Sequence, residues 1–93
     1  MKSMRNSLMM IKNDLKSDNA TDCIYAIRAC CIQHISDNEI ITRLKKMKSD
    51  DRIAMMNKVS ESAIAALDIL GVEKYTGNNP AIIEIIKTNY YSK

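Results

Sequence analysis

The side chains best equipped for chemistry crowd into the first half of the 93-residue chain. Cys23, Cys30 and His34 stand seven and four residues apart, which puts all three on one stripe of a helix. Thiolate and imidazole are zinc ligands, so the stripe raises the question of a metal site. It extends over about 16 Å at 1.5 Å per residue, too far for all three to ligate one ion. Cys30 and His34 alone make half a zinc site, and the predicted fourth helix has no Cys or His to finish it. The expectation is therefore no metal, with Cys23, Cys30 and Cys31 acting as small apolar side chains in a tight helix interface.

Acid–base and nucleophilic chemistry fare no better. His34 is the single histidine, and a general base needs a nucleophile and an orienting carboxylate beside it. Asp37 is near in sequence, but no hydroxyl stands out, so His34 reads as a helix-end residue. Asp50-Asp51 is a carboxylate pair whose place after Ser49 fits helix capping better. The sequence has no glycine-rich phosphate loop, zinc-protease helix motif or nucleophile elbow. The expectation is a protein that is not an enzyme and takes no cofactor. The seven Met include Met9-Met10 and Met55-Met56, and at helical spacing they read as core filler.

The elements that must carry these residues are helices. A chain of this length allows one small domain, here 1–93. With 46% hydrophobic residues the composition is globular, and 2 Gly and 1 Pro are too few for a strand-and-turn sandwich. Met4, Leu8, Ile11 and Leu15 form one apolar face of a helix over 3–15. After the turn residues Ser17-Asp18-Asn19, a second helix is expected over 20–34. It is apolar nearly all round, with a wet stripe through Thr21, Asp22, Tyr25 and Arg28, so neighbours must cover it on two or three sides. Ser36-Asp37-Asn38-Glu39 has the pattern of a capping box, Ser36 capping the amide of Glu39 and Glu39 reaching back, with Ile35 and Ile40 as a hydrophobic staple. The third helix then carries Ile40, Ile41, Leu44 and Met47. Ser49-Asp50-Asp51 is expected to open a fourth helix running to Leu70, with a kink near Val59-Ser60 and Gly71 as its left-handed cap. A loop over 75–79 leads to a last helix capped by Asn79, with Pro80 at its first position.

Two stretches of the chain look alike. Leu15-Lys16-Ser17-Asp18 matches Met47-Lys48-Ser49-Asp50 at an offset of 32, and Ala26-Ile27-Arg28-Ala29 matches Ala63-Ile64-Ala65-Ala66 at 37. The second copy therefore carries about five extra residues, expected within its first helix. Ile40-Ile41 matches Ile82-Ile83 at 42, which implies a longer connection between its helices. In this pattern the chain resembles the HEAT-repeat family, in its short bilin-lyase-like form: a leucine-ended helix, a Ser/Asp turn, an Ala-rich first helix and a second helix with a paired aliphatic start. The Val-Arg pair that usually opens the first helix is absent. The resemblance implies an all-α, armadillo-like α-solenoid of about five helices stacked as antiparallel hairpins, with repeats at 15–47 and 47–89 and helix 3–15 capping the stack. Neither repeat buries its Ala/Ile face alone, so such units must stack.

In a stack of this kind the second helices line the concave side. Segments 2–16, 37–48 and 79–93 carry +3, +2 and +1, while the whole chain carries +3, so the remainder is acidic. The expectation is a protein-binding module that receives an acidic partner segment on a basic concave face. Lys12, Lys16, Arg43, Lys46 and Lys87 are the expected contacts, with Tyr90 and Tyr91 as anchors. The alternative is a nucleic-acid-binding protein that uses the same cations on phosphates. Apolar stack ends allow end-to-end self-association. No stretch approaches the roughly 18 apolar residues of a membrane span. Residues 1–12 carry no long apolar run or small-residue cleavage site, and with an odd number of free cysteines the expected compartment is the reducing cytoplasm.

Overall fold

Two alanine-rich helices, α2 (Ala20–Gln33) and α4 (Val59–Ile69), meet at the centre of the molecule, as their near-continuous apolar circumference requires. The computed structural model describes residues 4–35 and 37–91, with side chains for residues 8–35 and 37–87. Helix α2 buries Ala26, Cys30 and Cys31, and α4 buries Ala63, Ala65 and Ala66. Small side chains let helix axes approach to about 8 Å, the short end of the usual range. Around this pair lie α1 (Met4–Leu15) on α2, α3 (Asn38–Lys46) on α4, and α5 (Ala81–Tyr91) chiefly on α4 and also on α2. Leu8, Ile11 and Leu15 of α1, Ile40 and Leu44 of α3, and Ile82 and Ile86 of α5 fill the resulting core. Among the described residues the fold is thus all-α apart from one two-stranded hairpin.

The principal neighbours of α3 are α4, α1 and the 3₁₀ turn at Met47–Ser49. Its predecessor α2 is not among them, so 20–34 and 37–48 do not form a closely packed hairpin of helices.

Helix ends follow side-chain and backbone chemistry. Asn19 caps α2 by accepting from the Thr21 amide at 2.8 Å. At the other end His34 takes the left-handed conformation (φ 53°, ψ 47°). Its amide donates to Cys31 and that of Ile35 to Cys30, closing a Schellman motif without a glycine. Gly71 (φ 80°) does the same for α4, with Gly71 donating to Asp68 and Val72 to Leu67. The N-cap of α3 is Asp37. Asp37, a charged and stronger acceptor, takes the amides of Glu39 and Ile40 at 2.8 and 3.2 Å, which leaves Glu39 free to reach elsewhere. Ser36 lies outside the described residues.

The fourth helix starts eight residues later than expected from Asp51. Residues 53–58 form an antiparallel hairpin of β1 (Ile53–Ala54) and β2 (Asn57–Lys58), turning at Met55 and Met56. The cause is local. Asp50 accepts from the Arg52 amide at 3.1 Å and from its guanidinium at 2.6 to 3.2 Å, a side-chain turn that competes with helix formation. The carbonyls of Arg52 and Asp50 then accept from the Val59 and Ser60 amides, capping α4 where Lys58 offers no side-chain acceptor. The extra residues of the second copy therefore build this hairpin instead of lengthening a helix. The longer second connection is present as segment 70–80, whose Tyr75 amide donates to Asp68 and whose Tyr75 hydroxyl donates to Glu61.

Candidate functional site

The C-terminal half of α1 and the exposed flank of α3 run side by side, and the cations expected to face a partner collect there. Lys12 and Lys16, one turn apart, look across to the start of α3, while Arg43 and Lys46 lie further along it. Lys16, Asn38, Glu39, Thr42, Arg43 and Lys46 line an open cavity of about 450 Å³. Four cations against the carboxylates of Asp37 and Glu39 leave this groove at net +2.

Lys12, Lys16, Asp37, Glu39 and Arg43 have definite partners. The Lys12 ammonium is 3.1 Å from Glu39 and 3.5 Å from Asp37, and the Lys16 ammonium is 3.6 Å from the second oxygen of Glu39. The hydrogen bond from Lys12 holds the Glu39 carboxyl below its ordinary range, and reciprocally keeps the Lys12 ammonium protonated above its own. Asp37 is lowered chiefly by the Ile40 amide it caps. Arg43 donates from Nε to the Leu15 carbonyl at 3.2 Å, so it ties α3 to the end of α1 as well as lining the groove. The groove can therefore offer ammonium groups, a guanidinium and the Thr42 hydroxyl to an anion.

Lys87 does not join them. It is exposed on α5, which packs on α4 and α2. The side chains of Tyr90 and Tyr91, the expected anchors, lie outside the described residues. Lys45 and Lys48 turn to Glu73, at 3.9 and 2.8 Å. The sequence reading missed Glu39, Asn38 and Thr42 as groove residues. Glu39 was accounted for as a capping partner, and only the meeting of α1 with α3 reveals its other role.

The remaining chemical candidates are structural in their setting. Cys30 and Cys31 are buried, and desolvation pushes both thiols up to about 12. Cys23, also buried, has its sulfur 3.4 Å from both the Ser17 carbonyl and the Arg52 guanidinium. His34 is exposed at the end of α2. Arg52 binds Asp50 and donates to the Ser17 and Asp18 carbonyls at 3.3 and 2.9 Å, clamping the α1–α2 turn. Asp50 is consequently held below the ordinary carboxylate range by that guanidinium. Among the described residues no three His, Cys, Asp or Glu side chains converge as a metal site would require, and no helix is long and apolar enough to cross a membrane. In comparisons with known proteins, the chain matches no family model, no curated protein and no solved structure.

Proposed function

We propose that the chain is a small helical interaction module, HEAT-like in its pairing of Ala-rich first helices, that binds an acidic segment of another protein in the α1/α3 groove. The observation that carries this reading is the convergence of Lys16, in the turn that ends α1, with Arg43, Lys46 and Thr42 of α3 on one open cavity with a net positive charge. Support for the HEAT-like part is the α2–α4 contact between the two matching Ala-rich segments and the longer second connection. Three free, buried cysteines suit a reducing compartment such as the cytoplasm.

The test is a fluorescence-anisotropy titration with a labelled deca-glutamate peptide at low and physiological salt. The double variant Lys16→Glu/Lys46→Glu should weaken binding about tenfold or more, because both ammonium groups stand in the groove. Arg43 is left intact, since its bond to Leu15 makes its loss a stability change too. Equal binding by the wild type and the double variant refutes the groove. A labelled single-stranded oligonucleotide of equal charge tests the second reading, a phosphate backbone, which the same cations favour. Tighter oligonucleotide binding with a steeper salt slope would establish it in place of the peptide.

A further inference from the structure

Glu39 stands in the cationic groove itself, with one carboxylate oxygen 3.1 Å from Lys12 and the other 3.6 Å from Lys16. The acid that pairs with Lys12 of α1 and Lys16 just after it thus belongs to the lining of the cavity. An incoming carboxylate or phosphate meets two kinds of cation. Arg43 and Lys46 carry no carboxylate partner within ion-pair distance among the described residues. Lys12 and Lys16 are already paired with an anion tethered to the same fold.

We propose that Glu39 is the groove's resident anion, a pseudo-ligand that an anionic partner must displace from Lys12 and Lys16 to occupy the whole groove. This rests on the anion-binding reading above and adds its regulation. An isolated anion gains only Arg43 and Lys46, whereas a ligand with several adjacent anions reaches those two and competes with Glu39 for Lys12 and Lys16. Glu39 therefore sets how much each further adjacent negative charge adds to binding. It sits on an exposed surface, where side chains exchange partners readily and each ion pair is weak, so displacement is within the reach of a polyanionic ligand.

The experiment titrates deca-glutamate peptide and a mono-glutamate analogue of equal length into the wild type, Glu39→Gln and Glu84→Gln. Glu84 is exposed on α5, outside the groove, and its variant changes net charge by the same amount. Glu39→Gln should tighten deca-glutamate binding about three- to tenfold and steepen its salt dependence, as two more lysines become available. Glu84→Gln should leave affinity within about twofold at physiological salt, where separated surface charges are screened. The mono-glutamate peptide, which reaches only Arg43 and Lys46, should change within about twofold, so the preference for the polyanion widens. A wild type that binds with Glu39→Gln unmoved, or moved no more than Glu84→Gln, overturns the pseudo-ligand and leaves the groove standing. Binding by neither wild type nor Glu39→Gln overturns both, and binding by Glu39→Gln alone supports a groove closed at rest.

Discussion

Met56 is 96% exposed and holds φ at 67°, next to Met55 at 53°. Two successive positive φ values between paired Ala54 and Asn57 are the geometry of a type I′ hairpin turn, where Asn-Gly is the favoured sequence. A side chain with a Cβ costs roughly 1–2 kcal/mol in this region. The exposed Met56 side chain offers almost no burial to offset that cost. Replacing it by glycine removes the steric term but adds unfolded-chain entropy of roughly 0.5–1 kcal/mol. The net expectation for Met56→Gly is a gain of about 1 kcal/mol, or about 4–8 °C in a domain of this size. Met56→Ala keeps the Cβ and should leave stability within about 0.5 kcal/mol, since it changes only an exposed side chain. Met55→Gly should gain less than Met56→Gly or lose outright, because Met55 packs against the core. Urea and thermal unfolding by far-UV circular dichroism read all three. Should Met56→Gly be no more stable than Met56→Ala, the turn is unstrained and the reasoning fails.

Three further outcomes are expected. A Cβ at Gly77 would stand 2.5 Å from the Tyr75 hydroxyl and closer still to the Glu61 carboxylate, so Gly77→Ala should break that hydrogen bond and cost about 1–3 kcal/mol, read by chemical denaturation; a neutral effect would mean that segment 70–80 gives way freely. The Asp50 carboxyl is lowered from its ordinary 3.8 by Arg52, so its contribution is full above that pH and lost as pH falls through the lower folded value. The stability gap between wild type and Asp50→Asn should accordingly shrink between pH 7 and pH 3, and a constant gap would contradict the ion pair. Burial raises the Cys30 and Cys31 thiols from 9.0 to about 12, so stability holds below pH 9 and declines as pH rises toward 12, while iodoacetamide at pH 8 should label them no faster than the chain unfolds.

Most of the helical framework was legible because its signals are local. Asn19 ahead of an apolar run, Gly71 behind one, and Pro80 near the start of another depend only on backbone chemistry within a few residues, and all three mark the boundaries found. The hairpin at 53–58 was not legible for the opposite reason. Met55-Met56 carries none of the Gly or Asn that signals such a turn, and residues 52–58 read as an amphipathic helical segment. What overrides that propensity is the Asp50–Arg52 pair together with carbonyls of residues 17 and 18, more than thirty positions away. The candidate site divides along the same line. The Lys and Arg of α1 and α3 were visible from charge sorting, but Glu39 joins them only once α1 lies beside α3, and Lys87 leaves them because α5 packs elsewhere.

The end of α1 explains which cations remain available for a ligand. A helix leaves its last four carbonyls without intrahelical donors, at the negative end of its dipole. Two arginines from different elements serve this corner: Arg43 donates to Leu15, and Arg52 to Ser17 and Asp18 just beyond. Arginine suits this role, because its fixed fork presents several donors at once and its charge is permanent. Both guanidinium groups therefore hold the α1–α2 turn against α3 and the hairpin, Arg43 through its Nε while it also lines the groove, so their removal should loosen the fold as well as alter binding. Lysine, a point charge on a flexible stem, has no such anchoring here. Lys16 and Lys46 can follow a ligand's anions without disturbing a backbone contact, so charge reversal at these two positions should separate recognition from stability, whereas reversal at Arg43 should confound them.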